Sequence, residues 1–257
     1  MKQRVISALI AAIIVIPLII IGGLPFKIGV ILIGILGLRE LLELFKEETP
    51  KSILIGAYLS EILLIIGSGD FLSFEKSLSL ITIVAFVMLI FLDKKTYNFN
   101  NLAKIYTSVI FLGFVFNKLC EIRLNDIYLF LFILIIPMLT DIFAYVVGSS
   151  SLGKTKLLPK ISPKKTVEGS LAGTIIAAVA ASIFYIFMID PAANIFLVII
   201  MVVILSVAGQ IGDLVFSSIK RYYDVKDFSN IMPGHGGILD RIDSTIFVLL
   251  VVYLLLI

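Results

Sequence analysis

Residues 194–218 read NIFLVIIMVVILSVAGQIGDLVFSS. An α-helix needs about 20 predominantly apolar residues to cross ~30 Å of hydrocarbon, and this run supplies them. Within it and just beyond, Ser206, Gln210, Asp213, Ser217 and Arg221 recur at steps of three or four, one polar stripe on an otherwise apolar helix. A carboxylate on such a stripe is costly in lipid unless it faces a polar cavity or a partner. The stretch therefore predicts a membrane helix with chemistry gathered along one side of it.

The rest of the chain repeats the pattern. Of its 257 residues 60% are hydrophobic and 15% charged, with a mean hydropathy of +1.14. A soluble domain carries nearer ~25% charged residues. Apolar runs at 5–22, 27–45, 52–67, 77–92, 105–119, 126–148, 168–189, 194–218 and 244–257 predict an all-α, polytopic membrane protein of about nine transmembrane helices. The fourth, fifth and last runs are short, which calls for tilt or local thinning of the bilayer. The first run follows Lys2 and Arg4 as a signal peptide would. It is long, lacks a small-x-small cleavage site and leads directly into further spans, so it reads as a retained helix. Cys120 is the single cysteine, which excludes an intrachain disulfide and a cysteine metal cluster.

Placement of Lys and Arg sets the orientation. With the N-terminus cytoplasmic, 17 of the 21 basic residues fall on the cytoplasmic side, leaving Lys27, Lys76, Lys118 and Arg123 outside. Both long polar loops of the C-terminal half, 149–167 and 219–243, then face the cytoplasm. Residues 1–124 form an N-terminal region of about five spans, and 125–257 a catalytic region of about four spans with cytoplasmic loops. The N-terminal region holds few polar groups within its spans. Glu61 reads as a helix-end or snorkelling carboxylate. Gly22, Gly23, Gly29, Gly34 and Gly37 read as sites of close helix packing.

From Asp141 onward the character changes. Asp141, Tyr145 and Gly148 share one face at the cytoplasmic end of their span. Asp141 is either a site-lining residue or a carboxylate bonded to a neighbouring helix. Gly148, Gly153, Lys154 and Thr155 fit the formal spacing of a phosphate loop, but a membrane helix precedes them where a strand is required. What remains is a flexible, basic, hydroxyl-rich loop suited to phosphate. Ser162, Pro163, Lys164, Lys165, Thr166 and Glu168 open the next span. Either Ser162 caps that helix with Pro163 in its first position, or Thr166 caps it with Glu168 in the first turn. Two lysines at a helix N-terminus oppose the macrodipole by about 0.3–1 kcal/mol each when exposed. A bound anion reverses that penalty; the alternative is an anchor against lipid headgroups.

Beyond Lys220 and Arg221, the segment Pro233-Gly234-His235-Gly236-Gly237 is a loop whose backbone can wrap closely around phosphate. Asp240, Arg241, Asp243 and Ser244 follow at once. Asp213 and Asp240 are the natural pair for a hard divalent cation, because magnesium takes a few carboxylates plus waters and phosphate oxygens. The competing reading for these aspartates and for Asp243 is an ion pair with Lys220, Arg221 or Arg241. Asp224 and Asp227 are either site residues or solvated loop residues. His235 is a general acid, a donor to phosphate, or neither.

At these residues the sequence resembles the phosphatidate cytidylyltransferases, also called CDP-diacylglycerol synthases. The resemblance runs through Ser218, Lys220, Arg221, Lys226 and Asp227, then Pro233-Gly234-His235-Gly236-Gly237, Asp240, Arg241, Asp243 and Ser244. Asp141, Ala144, Tyr145 and Gly148, and Ser162 to Thr166 with Glu168 and Gly169, also look like the family. It covers roughly Asp141 to Ser244; the first five spans match only in being hydrophobic.

The resemblance implies condensation of CTP with phosphatidate to give CDP-diacylglycerol and pyrophosphate, in phospholipid biosynthesis. It also implies dependence on Mg2+, with a second metal ion left open, and a homodimer among membrane lipids, with no nucleic-acid partner. Asp213 and Asp240 look like the metal carboxylates, and Asp213, Asp240, Asp243, Lys220 and Arg221 like the catalytic set. Ser162, Lys164, Lys165, Ser217, Lys226, His235, Arg241, Asp141 and Tyr145 look like substrate or phosphate contacts. Two other classes compete. One is another CTP-dependent lipid enzyme, a CDP-archaeol synthase or a polyprenol kinase. The other is an ion-coupled transporter, which would place polar groups near the midplane in both halves.

Overall fold

The structure, a computed structural model, describes residues 2–45, 51–67, 73–91, 99–232, 234 and 236–256. Among them the chain forms α1 (Lys2–Ile21), α2 (Gly23–Glu43), α3 (Lys51–Ile66), α4 (Phe74–Phe91), α5 (Phe99–Asn125) and α6 (Ile127–Gly148). A short hairpin follows, β1 (Lys156–Leu158) and β2 (Ser162–Thr166), then α7 (Val167–Met188), α8 (Ile195–Tyr222) and α9 (Leu239–Leu256). By length and composition α5, α6, α7 and α8 are each able to cross a membrane. The all-helical membrane architecture is the one the apolar runs predict.

Three elements differ from expectation. Helix α5 runs well past both ends of the apolar core at 105–119, because its polar residues Asn101 and Arg123 are buried rather than left in loops. Helix α9 begins at Leu239, so Asp240 and Asp243 sit in its first turns. The 149–167 loop is not simply flexible: it contains the antiparallel hairpin, paired Lys156 with Thr166 and Leu158 with Ser162.

The chain divides into two compact units, Met1–Leu124 with Asp227–Leu239, and Asn125–Lys226 with Asp240–Ile257. In the first, Arg123 satisfies the last carbonyls of α1, donating to Ile19 O and, at 3.1 Å, to Ile20 O. A cation at a helix C-terminus is favoured by the macrodipole as well as by the hydrogen bonds. The chain turns there at Gly22, whose φ of +68° lies in the left-handed region that favours glycine. Asn117 does the same service for α3, donating to Leu64 O at 3.0 Å and Gly67 O at 3.1 Å. Glu61 corrects its snorkelling assignment: it is fully buried, and among the described residues neither carboxylate oxygen has a hydrogen-bond partner. Gly34, where a Cβ would lie 2.7 Å from Ile65, is the small residue that admits this packing.

In the second unit, small residues bring the helices into near-backbone contact. A Cβ on Gly169 would lie 2.5 Å from Ala144 O, and one on Gly173 would strike Thr140 O, so α7 lies directly against α6. Gly212 stands in the same relation to Asp243 O, at 2.7 Å, which packs α8 on α9. Gly209 also faces α9, where a Cβ would lie 3.1 Å from Val248. A hydroxyl and amide network links α6, α7 and α8. Thr140 meets Ser206 at 2.8 Å, Ser206 donates to Thr174 at 3.2 Å, and Gln210 donates to Thr174 at 2.8 Å. Such interhelical bonds contribute roughly 0.6 kcal/mol each in membranes, so they set register more than stability.

Candidate active site

The polar groups of the second unit converge where α6 ends, the hairpin closes, α7 begins and α8 carries Asp213. Local sequence builds this junction. Thr166 is the N-cap of α7, its hydroxyl accepting from the Gly169 amide at 3.1 Å, with Glu168 in the first turn. Of the two capping schemes this is the second; Ser162 and Pro163 instead belong to β2. Glu168 reaches back to accept from the Thr155 amide, 3.1 Å to each oxygen, and Val167 N donates to Thr155 O at 2.9 Å. The hairpin is thereby pinned to the helix it precedes.

The phosphate-loop spacing has a packing explanation. A Cβ on Gly148 would lie 2.8 Å from Thr166 Oγ1, and one on Gly153 would collide with the Gly148 carbonyl. Both glycines serve the turn that returns the chain from α6 to β1.

The junction encloses a cavity of about 510 Å³, lined among others by Asp141, Tyr145, Lys164, Lys165, Gln210 and Asp213. This volume lies within the ~300–1,000 Å³ of small-ligand sites. Lys165 forms an ion pair with Asp213, and Ser217 donates to the other Asp213 oxygen at 3.1 Å. Asp141 senses both Lys165 and Asp213 and bonds to Ser244. Asp243, buried, accepts from the Ser244 amide at 2.7 Å and senses Asp213, Lys220 and Asp141. Lys220 and Asp240 pair at 2.5 Å with both side chains nearly fully buried. Four carboxylates, Asp141, Asp213, Asp240 and Asp243, thus share one electrostatic neighbourhood with two buried or half-buried lysines. The carboxylates outnumber the lysines, and a hard cation arriving with phosphate ligands of its own would offset that excess.

Other expected site residues lie elsewhere. Arg221 is exposed and donates to Val225 O at 2.9 Å, closing the turn after α8 rather than facing the cavity. Lys226 and Arg241 are exposed, and Ser162 is half-buried at the start of β2; none of the three lines the cavity. Asp224 and Asp227 are exposed loop residues. His235 and Pro233 lie outside the described residues. Conversely, Lys156 and Ser170 line the cavity without having been singled out. Ser170 is the residue whose hydroxyl donates to Gln210. Its position four residues after Thr166, on the face that α7 turns to α8, is the signal that would have found it.

All candidate ligands are carboxylate oxygens, as a hard cation requires. Among the described residues no group of three His, Cys, Asp or Glu side chains converges closely enough for an all-protein cage. Magnesium is commonly held by one or two carboxylates with water and substrate phosphate, so the residues present fit that mode.

Comparison with known proteins covers the whole chain. Residues 2–257 match the model of the cytidylyltransferase family. A phosphatidate cytidylyltransferase of Bacillus subtilis is 42% identical, over all of this chain and 97% of the relative. Those of Staphylococcus haemolyticus and Staphylococcus aureus are 37% and 35% identical, each over all of this chain and 99% of the relative. With a match that runs through the first five helices as well as the polar junction, the chain belongs to the cytidylyltransferase family.

Proposed function

We propose that the chain condenses CTP with phosphatidate, giving CDP-diacylglycerol and pyrophosphate for phospholipid synthesis at the cell membrane. The observation that carries this reading is the cavity at the α6–hairpin–α7–α8 junction, where Lys164, Lys165, Asp141 and Asp213 surround a nucleotide-sized space. A phosphate oxygen of phosphatidate attacks the α-phosphorus of CTP. The new P–O bond forms as the bond to the β-phosphate oxygen breaks, and pyrophosphate leaves with the electron pair. The phosphomonoester, with a second pKa of about 6, is already largely ionised near neutral pH, so no enzyme nucleophile is required. The requirement is to align two anions that repel and to neutralise the leaving group.

Lys164 and Lys165, on β2 just before α7, hold and orient the triphosphate, and the positive end of the α7 macrodipole favours the same charge. Lys220 holds Asp240 in place, and Ser217 orients Asp213. Asp213 and Asp240 would hold Mg2+, with Asp141 and Asp243 beside them. When bound, the ion supplies charge neutralisation on the phosphates. The hydroxyl and phenol side of the cavity, Tyr145 and Ser170, orients substrate.

Purified protein in detergent, given CTP, magnesium and phosphatidate, should release pyrophosphate only when the lipid is present. Phosphorylation of a lipid alcohol with release of CDP would instead establish the kinase chemistry. The resemblance and the charge distribution also support nine spans with a cytoplasmic N-terminus and site. A Cys120→Ala background carrying one cysteine at Ser150 or at Ala192 reads this in intact cells. An impermeant maleimide should label only the Ala192 position, and labelling at Ser150 overturns the orientation. The homodimer implied by the resemblance should run in detergent at twice the 28.3 kDa chain mass by light scattering.

A further inference from the structure

Glu40 lies on α2 and is buried to 1% exposure. Its Oε1 accepts from the Ser229 hydroxyl at 2.6 Å and from the Ile238 amide at 2.8 Å, and its Oε2 accepts from the Leu239 amide at 2.8 Å. A Cβ on Gly237 would lie 2.5–2.6 Å from the same carboxylate, so only glycine lets the backbone come this near. The segment it holds is built tightly around a bridge between Met232 and Gly236, with Gly234 and Gly236 at φ of +77° and +82°. These contacts all lie within the first unit. No step of the reaction above uses Glu40.

A buried carboxylate stays ionised at acceptable cost when hydrogen bonds replace its hydration. Here it has three donors, two of them amides at the start of α9, where the macrodipole favours negative charge. Most helices obtain this service from a Ser, Thr, Asn or Asp at the N-cap itself. In this chain it comes from a residue 199 positions away in sequence from Leu239. That arrangement fixes more than helix stability. It fixes where, along and around its axis, α9 begins. Asp240 is the next residue.

We infer that Glu40 is a positioning residue for the reaction: by anchoring Ser229, Ile238 and Leu239 it sets the first turn of α9 and therefore the placement of the Asp240 carboxylate. Gly237 is the residue that makes the anchor sterically possible. The inference rests on the reading of Asp240 as a site carboxylate. Slippage of the first turn by one residue would move it by ~1.5 Å along the axis and ~100° around it.

The test compares full-length wild type, Glu40→Gln, Gly237→Ala and Asp240→Asn in detergent. It measures kcat, KM for CTP, thermal unfolding and hydrogen exchange of peptides covering 229–242. Glutamine keeps the shape of Glu40 but turns an amide donor toward one of the three donors it must accept from. Glu40→Gln should lower kcat by about 10–10²-fold, the scale of a ~1 Å misplacement, with the CTP KM changed less than about twofold. The 229–242 peptides should exchange faster while those of α6 to α8 stay unchanged, and Gly237→Ala should reproduce both effects. A merely structural residue would shift unfolding and exchange throughout and leave kcat per folded molecule intact; that result overturns the inference. Should Glu40→Gln fail to fold, Ser229→Ala removes a single donor and should show the same kcat and exchange changes in smaller measure; wild-type values overturn the inference. An Asp240→Asn enzyme with wild-type kcat overturns the site reading and this inference with it. An inactive Asp240→Asn beside a fully active Glu40→Gln overturns this inference alone.

Discussion

Asp213→Asn should cut turnover by roughly 10²–10³-fold, the usual cost of removing one preorganised charge from a reacting centre, while the protein stays folded. Asparagine preserves the side-chain volume and can still accept from Ser217, now 3.1 Å away. It cannot pair with Lys165 as an anion, nor offer a charged oxygen to a divalent cation. The fold should survive because the Lys165–Asp213 pair is only partly buried, with side-chain exposures of 26% and 24%. Pairs that retain water contribute little to stability, about 0–1 kcal/mol. Magnesium titration of the residual rate, set beside a thermal unfolding curve, checks both halves. A near-normal rate would remove Asp213 from the metal site.

Lys165→Met ranks second. Hydrogen bonds to charged groups are worth about 1.5–3 kcal/mol, so losing the Lys165 ammonium should reduce kcat/KM by ~10–10²-fold. Lys165 differs from Lys164 in having a carboxylate partner that fixes its ammonium inside the cavity. The CTP KM should therefore rise more for Lys165→Met than for Lys164→Met. Arginine is not a neutral replacement, because a planar fork does not reproduce a compact ammonium beside Asp213. Steady-state kinetics over a range of CTP concentrations decides the matter. An unchanged CTP KM in Lys165→Met would take the lysine off the triphosphate.

The readability of each part follows from how local its cause is. Helices α6, α7 and α8 were legible because their apolar runs are unbroken and each end is set by a nearby residue: Asp126, Thr166 and Asn194 are the N-caps. The convergence of Asp141, Lys165 and Asp213 followed from helical spacing plus the shared membrane side. The first turn of α9 was not legible, since Asp240, Arg241 and Asp243 read as loop when only hydropathy is weighed. The hairpin was hidden by Pro159 and Pro163, which argue against strands. A two-stranded piece pinned by Glu168 tolerates them. Arg221 was assigned by motif, but its hydrogen bond to Val225 is a property of the turn after α8. Glu40 was missed because its partners Ser229, Ile238 and Leu239 lie 189 to 199 residues further along the chain. No local pattern announces a contact of that range.

The hairpin also works as a depth gauge. A two-stranded sheet leaves unpaired amides and carbonyls along both outer edges, and such edges do not persist in contact with lipid tails. β1 and β2 must therefore stand at or above the headgroup level, with exposed Lys156, Lys160 and Lys164 reaching toward phosphates there. Because β2 leads straight into α7 and packs against the end of α6, the waterline is fixed to within about a helical turn of the cavity. On the function proposed above, a triphosphate then arrives from solvent without crossing hydrocarbon. A lipid phosphate, carried at the same height by its leaflet, needs only to slide sideways to meet it.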